Sequence, residues 1–418
     1  MKRHLLFLLA CLAMLTMVAR AVEDVGPDGW KPWEECTVTV TGTDLQLPAR
    51  RKLLLSDANA GMNSIPNIAY DAKTKTYMMV YLVNYPHRGV FSKSTDGGDT
   101  WSKPRDLPFG LTLIQLSDGR LMVRGSGCGR GDVSEPLVSK ALISDDLGES
   151  WREVTSTNDT GRLHLYGIYN WDPLAEITMP DGHVRLWANG YSVIPCQEMY
   201  GGARQREFTM TRYSDDDGKS WSQWQVIGKF IGCGEAHYFF TSGKRLLVAL
   251  REETESIVDH DAQLKCAYSD DYGETWSDPV LVRGPGRHHG WFAELPDGRI
   301  VLTYVVRRGY PHDAEGRPQF GIEAVISADG GRTWDTDHIY VLAKWSAVPQ
   351  WSVNGGAPEP TNEWNFAPQS TSTIYNPHTG KLVTAYGTMQ YVKYNIRGKG
   401  FGPRGLVLLE WAPPPLEK

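Results

Sequence analysis

Apolar and polar residues alternate along most of the chain, and one polar phrase interrupts this alternation again and again. The phrase has the frame S-x-D-x-G-x-[ST]-W and occurs five times among the 418 residues. The copies are STDGGDTW (94–101), SDDLGESW (144–151), SDDDGKSW (214–221), SDDYGETW (269–276) and SADGGRTW (327–334). Repetition of one frame along a chain indicates a repeat architecture.

Each copy has the residues of a tight turn between two strands. The Asp carboxylate can accept hydrogen bonds from backbone N–H groups of the turn, and the Gly allows a positive φ. The Trp begins the next strand and is expected to pack between neighbouring units. We therefore interpret the phrase as structural, and we expect no bound calcium because its carboxylates are used on the backbone.

A second turn signal precedes several copies of the phrase. Asp-Gly stands between alternating apolar residues in LSDGRLMV (116–123), MPDGHVRLWA (179–188) and LPDGRIVLTYV (295–305). This pattern is typical of a β-hairpin. Each unit is therefore predicted to be a four-stranded antiparallel blade. The six predicted blades span about 65–107, 111–154, 174–227, 236–282, 291–342 and 370–411.

The pattern as a whole predicts an all-β fold, a six-bladed β-propeller over residues 51–418. The last blade lacks one strand, and the segment RKLLLSD (51–57) is expected to supply it. Such a pairing would close the ring and remove the open sheet edges. The preceding residues divide into a predicted signal peptide (1–21) and an N-terminal extension (22–50).

The N-terminal segment MKRHLLFLLACLAMLTMVARA has a basic start, an apolar stretch and an A-x-A sequence at 19–21. This is typical of a secretory signal peptide, and its apolar run is too short for a membrane-spanning helix. We therefore expect a secreted or periplasmic protein without a membrane span. Export permits disulfides, but an odd number of cysteines would remain after cleavage, so at least one is expected to be free. These are Cys36, Cys128, Cys196, Cys233 and Cys266.

Charge and composition narrow the possible partners. The formal net charge is -6, which provides no basic field for a nucleic acid. The cysteine spacings match no zinc motif, and we expect neither a metal nor a cofactor. The chain has 15 Trp and 19 Tyr, some of which can serve as stacking platforms in a cleft.

The five phrases resemble the Asp boxes of the sialidase (neuraminidase) superfamily, whose BNR-repeat members are six-bladed propellers. The resemblance covers about 51–411. It implies the fold more firmly than the activity, because the superfamily also includes other glycosidases, lyases and non-catalytic members. It further implies a ligand site over the central channel, lined by the starts of the innermost strands and the ends of the second strands.

Members with sialidase activity use three Arg to bind the substrate carboxylate, a Tyr nucleophile activated by a Glu, and an Asp as acid and base. By this resemblance Glu235 matches the Glu and Arg251 matches the second Arg. Arg317 resembles the third Arg, and Arg307 and Arg308 compete with it for that role.

The chain departs from that pattern at three places. The R-I-P motif reads SIP at 64–66, so its Arg is missing, and no carboxylate lies between Met79 and Lys93. The start of the last blade reads FAPQS at 366–370 and holds no tyrosine. The nearest are Tyr375, Tyr391 and Tyr394. Strict sialidase chemistry is therefore not expected.

Three hypotheses for the function stay open. The favoured one is an exo-acting glycoside hydrolase, with Glu235 and Asp172 as the carboxylate pair. The second is a polysaccharide lyase, with His288 or His289 as base, Tyr238 as acid and a uronate neutralised by an Arg. The third is a glycan-binding propeller without turnover.

All three hypotheses expect an extracellular glycan as the partner, whether an oligosaccharide, a polysaccharide or a glycoconjugate. Besides the residues above, several polar and aromatic groups fall at strand ends that would face the channel. The candidates for substrate binding are Arg251, Arg317, Arg308, Arg88, Arg130, His87 and Trp171.

Overall fold

The fold consists of antiparallel β-strands. The computed structural model describes residues 30–55, 63–83, 88–125, 127–128, 137–158, 168–169, 173–195, 205–253, 262–346, 368–388 and 405–416. These residues form 27 strands and contain no helix. No helix that could cross a membrane is therefore found in this part of the chain.

Four sheets follow an initial hairpin along the chain. The hairpin is β1 (Glu34–Val40) and β2 (Gln46–Leu55). The first sheet holds β3 (Asn63–Asp71), β4 (Thr76–Val83), β5 (Arg88–Ser94) and β6 (Arg105–Asp106). The second holds β7 (Thr112–Gln115), β8 (Leu121–Arg124), β10 (Leu137–Ser144) and β11 (Arg152–Asn158). The third holds β13 (Ala175–Thr178), β14 (Val184–Pro195), β15 (Gln205–Ser214) and β16 (Gln225–Ile231), extended by β9 (Gly127–Cys128) and β12 (Ile168–Tyr169). The fourth holds β17 (Cys233–Phe240), β18 (Leu246–Glu252), β19 (Gln263–Ser269) and β20 (Val280–Arg283).

The remaining strands form one nine-stranded sheet. One half is β21 (Arg287–Glu294), β22 (Ile300–Val306), β23 (Gln319–Ser327) and β24 (Asp335–Ser346). The other half contains β25 (Thr371–Asn376), β26 (Lys381–Gly387) and β27 (Gly405–Trp411). The initial hairpin lies between the halves, because β1 pairs with β24 and β2 pairs with β27. The sequence predicted two separate sheets here, and the bridge by β1 joins them.

The pairing of the N-terminal segment with the last strands, predicted from the sequence, is confirmed. Arg51 of β2 lies opposite Leu409 of β27. The neighbouring Arg50 Nε donates to Glu410 Oε1 at 2.9 Å, and the Glu410 side chain is almost completely buried. Since β1 and the first part of β2 precede residue 51, the sheet also includes part of the segment that was expected to be an extension.

The hydrophobic core lies between successive sheets. When the two halves of the nine-stranded sheet are counted separately, six clusters of buried side chains among the described residues fill the spaces between successive sheets. In one cluster Leu54 of β2 and Val383 of β26 pack with Tyr81 of β4, so the last sheet rests against the first. The first strands of neighbouring sheets, here called the inner strands, also contact one another, as β25 does with β3 and β21. The described strands therefore form a propeller-like, all-β fold.

All five polar phrases fold into the same hydrogen-bonded turn. In the first copy the Asp96 carboxylate accepts hydrogen bonds from the backbone N–H and the hydroxyl of Thr100. The Ser94 hydroxyl donates to Asp96 and accepts from the Gly98 N–H. The same four bonds recur around Asp146, Asp216, Asp271 and Asp329. The predicted use of the Asp on the backbone is confirmed.

The turn glycine lets a turn approach the preceding sheet. Gly148 has a φ of +81°, and a Cβ at this position would lie 2.3 Å from the Phe91 ring of β5. Gly273 is equivalent, with a φ of +93° and a Cβ position 2.5 Å from the Trp187 ring of β14. These distances are shorter than van der Waals contact, so the turn and the neighbouring sheet fit together only with glycine here.

Candidate active site

Three inner strands carry a bulge at the same place, close to where each strand begins. The pairing register shifts between Ser64 and Asn67 in β3, between Gly234 and His237 in β17, and between His288 and Trp291 in β21. Within these bulges three residues other than glycine have a left-handed backbone: Ile65 (φ 50°), Glu235 (φ 42°) and His289 (φ 57°). A left-handed residue of this kind costs about 1–3 kcal/mol, and such strain is concentrated at functional sites.

Two of the bulges bring a carboxylate and an imidazole together. Nε2 of His289 lies 3.1 Å from Oε2 of Glu235, and Nε of Arg251 lies 3.3 Å from the same oxygen. All three side chains are about nine-tenths buried or more. The sequence predicted each of them as a site residue, and the structure places them in one cluster.

A second carboxylate, which sequence reasoning missed, completes the cluster. Glu207 lies on β15, in the neighbouring sheet, and Nη1 of Arg251 donates to its Oε1 at 3.3 Å and its Oε2 at 3.2 Å. Arg251 therefore stands between two glutamates. The only signal in the sequence is a charged residue that precedes an apolar strand segment, which many surface strands share.

The surroundings push the pKa values of the two carboxyls apart. Burial raises the pKa of Glu207 to about 8; the Arg251 charge opposes this, while the charges of Glu235 and Glu253 add to it. Burial acts on Glu235 in the same direction, but Arg251, His289 and Arg307 outweigh it and hold the pKa of that carboxyl well below its usual range. Glu235 is therefore ionised at neutral pH, and Glu207 is largely protonated.

Arg307 provides a second cation beside Glu235. It follows the last residue of β22, is buried, and donates from Nε to the Pro368 carbonyl at 3.0 Å and from Nη2 to the Gln369 carbonyl at 3.1 Å. Its charge lowers the pKa of Glu235. The sequence offered Arg307, Arg308 and Arg317 as candidates for the third arginine of the family pattern. Of these, Arg307 lies at the cluster.

The other two arginines lie elsewhere. Arg308 is exposed. Arg317 is part of a local turn, where its Nε lies 2.6 Å from Asp313 Oδ2 and its Nη2 donates to Glu315. No contact of either residue with the buried cluster is seen among the described residues, and their role in substrate binding stays a prediction.

Tyr238 is also outside the cluster. It lies in the hydrophobic core between the third and fourth sheets, with its ring 6.0 Å from that of Trp187 and 5.6 Å from that of Trp276. Burial raises its pKa well above the ordinary value. Its role as a catalytic acid stays a prediction, and the structure places the side chain among core residues rather than at the cluster.

Two other histidines, His288 and His237, lie at the edges of these bulges. His288 is completely buried, and its ring centre lies 6.1 Å from that of His289. His237 stacks on Trp291 with 4.2 Å between ring centres, and its Nδ1 accepts a hydrogen bond from the Phe292 N–H. Burial lowers the pKa of His237 to about 3, so this ring is neutral. The stacked pair joins β17 to β21 beneath the cluster.

A hydrogen-bond relay ties the second sheet to the strand of Glu235. Arg124, at the end of β8, donates to the side-chain and backbone oxygens of Asn189, each at 3.2 Å. Asn189 in turn donates from Nδ2 to the carbonyl of Ala236. Because Ala236 directly follows Glu235, this relay helps to fix the bulge that carries the carboxylate.

Several predicted residues lie outside the described part of the chain. These are Asp172, Trp171, Arg130 and His87, and the side chain of Arg88. Among the described residues no group of His, Cys, Asp and Glu is arranged to hold a metal ion. Cys36, Cys233 and Cys266 are free thiols, which confirms the expectation of at least one free cysteine.

Comparison with known proteins identifies the family. Residues 113–347, more than half of the chain, match the model of the BNR repeat-like domain. The chain belongs to the BNR repeat-like family. The resemblance to sialidase-like BNR proteins, which was stated from the five phrases, is confirmed. This BNR protein is also 32% identical over 322 residues to the anhydrosialidase of Macrobdella decora. The match covers 59% of the BNR chain but only 40% of the length of that curated relative.

Solved structures share the fold of this BNR protein at low sequence identity. A protein of unknown function from Dyadobacter fermentans has a TM-score of 0.57 at 17% identity, over 91% of the BNR chain and 99% of its own. A Hadza microbial sialidase has a TM-score of 0.54 at 16% identity, over 79% and 63%. The α-L-arabinanase of Penicillium chrysogenum, complexed with arabinobiose, has a TM-score of 0.51 at 11% identity, over 91% and 98%.

Proposed function

We propose that this BNR protein is a glycoside hydrolase of the sialidase-like superfamily that removes a terminal acidic sugar from an extracellular glycan. One observation carries the proposal: the buried Glu235 carboxylate is held by Arg251 and His289 on a strained bulge, with Arg307 beside it. The match to an anhydrosialidase supports the same class of enzyme.

We propose a six-bladed propeller with five Asp boxes as the scaffold of this site. Support comes from the six hydrophobic clusters between successive sheets and from the five turns with identical hydrogen bonds. Export, which residues 1–21 predict, stays a prediction, because those residues lie outside the described part of the chain.

The charge of the cluster favours an acidic sugar. Two guanidinium groups, Arg251 and Arg307, act on the Glu235 carboxylate. These groups can also receive an anionic group of the substrate. A guanidinium fork binds a carboxylate through two parallel hydrogen bonds, which also fixes the orientation of the sugar.

Ionised Glu235 would act on the sugar carbon at which the glycosidic bond breaks. Its carboxylate can stabilise the oxocarbenium-like transition state, either as a nucleophile or as a base for water. The depressed pKa suits this role, because it keeps the group ionised. The second carboxylate predicted for the acid step, Asp172, lies outside the described residues and stays a prediction.

The lyase hypothesis has less support from these positions. Its predicted acid, Tyr238, lies in the core between two sheets. Its predicted base, His289, has Nε2 3.1 Å from a Glu235 carboxylate oxygen, so this nitrogen already has a partner. Hydrolysis requires neither group to act as acid or base.

Turnover of reporter glycosides of acidic and neutral sugars, and of uronate polysaccharides, would test the proposal. We expect the wild type to release an acidic sugar. Glu235→Gln should lower kcat about 10²- to 10⁴-fold, as is typical when an acid–base or nucleophilic carboxylate is removed. Glu294→Gln is the matched control, because Glu294 also lies on an inner strand but bonds to Ser242 at the strand's far end.

Other outcomes would overturn the proposal in recognisable ways. An unsaturated uronate product, detected by its ultraviolet absorbance, would identify a lyase. Turnover that Glu235→Gln leaves unchanged would remove Glu235 from the mechanism. Glycan binding without turnover of any substrate would leave a binding propeller.

A further inference from the structure

Glu207 occupies an enclosed place against the strand that carries Glu235. Its side chain is 12% exposed, and both of its carboxyl oxygens lie within 3.3 Å of Arg251 Nη1. A Cβ on Gly234 would lie 2.0 Å from Glu207 Oε2 and 2.9 Å from Cδ. Because only glycine leaves this space open, the residue directly before Glu235 allows the Glu207 carboxyl to reach Arg251.

The charged groups around Glu207 come from several elements. On β18 is Arg251, on β17 is Glu235, and just beyond β18 is Glu253, whose Oε2 accepts a hydrogen bond from the Glu207 N–H at 3.3 Å. Between β16 and β17 the Gly232 N–H donates to the Glu207 carbonyl, and the buried Cys233 thiol at the start of β17 is also within reach of the Glu207 charge. One guanidinium thus faces two carboxylates, with a third close by.

Two carboxylates that share one buried cation do not both ionise readily. Glu235 has the His289 ring and a second guanidinium, Arg307, beside it, whereas the charges acting on Glu207 are Arg251 and two carboxylates. Glu235 therefore holds the negative charge, and Glu207 keeps its proton. A neutral carboxyl can still accept hydrogen bonds from Arg251, so it fixes the guanidinium without cancelling its charge.

We propose that Glu207 is a positioning residue that sets the charge which Arg251 offers to the substrate. In its neutral form it holds Arg251 in place and leaves the positive charge to Glu235 and to an anionic sugar. When it ionises, it competes with that sugar for the same guanidinium. This inference rests on the proposed function, because it assumes that an acidic sugar binds at Arg251.

The consequence is a loss of affinity in alkali. The carboxylate of a sugar acid is ionised throughout the range from pH 6 to pH 9.5, so any change in affinity comes from the protein. Because burial raises the pKa of Glu207 to about 8, the Kd for a sugar acid should rise as the pH passes this range, by at most about tenfold for each pH unit. With an acidic substrate KM should rise, while kcat changes little.

The test uses ligand-observed NMR with N-acetylneuraminic acid and galacturonic acid as probes, from pH 6 to pH 9.5. The full chain is compared with Glu207→Gln and with Glu253→Gln as a matched control. In Glu207→Gln the Kd should no longer depend on pH above 8, because the amide keeps the geometry but cannot ionise. In Glu253→Gln the alkaline rise should persist but begin at a lower pH, because the Glu253 charge helps to raise the pKa of Glu207. A Glu207→Gln variant that keeps the wild-type rise overturns the proposal.

Thermal unfolding from pH 4 to pH 9.5 provides a readout that needs no ligand. The pKa of Glu207 is raised from 4.5 to about 8 in the folded protein. Its contribution to stability is therefore complete below pH 4.5, falls as the pH rises from 4.5 through about 8, and is absent above that range. Glu207→Gln should remove this loss between pH 4.5 and about 8, and circular dichroism checks that the variant folds.

The two readouts separate the two proposals. One outcome is that neither sugar acid binds at pH 6, while Glu207→Gln abolishes the loss of stability between pH 4.5 and about 8. The proposal of an acidic substrate is then wrong, and Glu207 remains the neutral partner of Arg251. If wild type and Glu207→Gln show the same loss, the assignment of Glu207 is wrong, whatever the substrate.

Discussion

Glu235 and His289 occupy equivalent bulges in neighbouring inner strands, and their side chains meet 3.1 Å apart. Both have a left-handed backbone. An undistorted strand would send alternate side chains to opposite faces, and the extra residue of a bulge redirects one of them. The contact between the two groups therefore depends on two local distortions, one in each sheet.

Replacing His289 should change the acid side of the pH–activity profile. His289→Asn keeps a residue that tolerates a left-handed backbone but removes the imidazole. Because His289 helps to lower the pKa of Glu235, that pKa should rise, and the acid limb of kcat/KM should move to higher pH by about one unit.

The comparison is made between the kcat/KM profiles of His289→Asn, the wild type and His183→Asn. His183 is a half-exposed histidine whose Nδ1 lies 2.5 Å from Asp181, and it serves as the control. An acid limb that does not move in His289→Asn would show that the imidazole does not act on Glu235.

The adjacent residues Arg307 and Arg308 should respond very differently to the same substitution. Arg307 is buried and bonded to two carbonyls, whereas Arg308 is exposed. Lysine keeps the charge but loses the fork that binds a carboxylate. Arg307→Lys should raise KM for an acidic substrate about tenfold, which corresponds to about 1.4 kcal/mol. Equal effects of Arg307→Lys and Arg308→Lys would contradict the assignment.

Substitutions at two turn glycines with similar φ can distinguish the cost of backbone strain from the cost of lost packing. Gly148 has a φ of +81° and faces the Phe91 ring, whereas Gly298 has a φ of +84° and no atom within 4 Å of its Cβ position. Gly298→Ala should cost about 1–2 kcal/mol from the left-handed backbone alone. Gly148→Ala should cost about 1–3 kcal/mol more, because the methyl group overlaps the ring.

Urea denaturation measures both free energies of unfolding, and their difference isolates the packing of one turn against the preceding sheet. If the two substitutions cost the same, the contact between Gly148 and Phe91 does not restrict the turn.

Acid should destabilise the protein through the five turns. The hydrogen bonds of the turn hold the pKa of Asp146 and Asp216 at about 2 and lower those of Asp96, Asp271 and Asp329. For a carboxyl with a lowered pKa, stability is present above its unfolded pKa of about 3.9 and is lost as the pH falls towards the folded value. The melting temperature should therefore fall steeply between about pH 4 and pH 2.

Asp216→Asn tests this account at a single turn. The amide cannot release a proton, so the variant should be less stable at pH 7 and should lose less stability than the wild type on acidification. A variant with the wild-type slope would show that the turn carboxylates do not control acid unfolding.

The strands and turns were predictable because their signals are local. The frame around Asp96 contains both ends of each hydrogen bond within a few residues, and Asp-Gly marks the hairpins in the same way. The pairing of 51–57 with the last strand was predictable too, because the missing strand of the last blade left one place to fill. The position of β1 between two sheets had no such signal.

The site was predicted only in part. Glu235, Arg251 and His289 were found because they fall at strand starts and ends that a propeller directs to its axis. Glu207 was not predicted, because its position depends on Arg251, 44 residues away, and on the space that Gly234 leaves open. For a similar reason, the sequence did not predict that Arg307 rather than Arg308 lies at the cluster. A register shift of one residue exchanges the two faces of a strand, and no local pattern fixes the bulge.

The bond between Arg50 and Glu410 joins residues 360 positions apart and has a consequence for synthesis. While a ribosome makes the chain, β2 waits for its partner β27 until nearly every other strand has emerged. During that interval β2 has an unpaired edge, and β1 has one until β24 emerges, and such edges are exposed to pairing with other nascent chains. A chaperone would therefore protect the chain most before β2 pairs with β27. The same pairing is where the full-length chain is expected to open first.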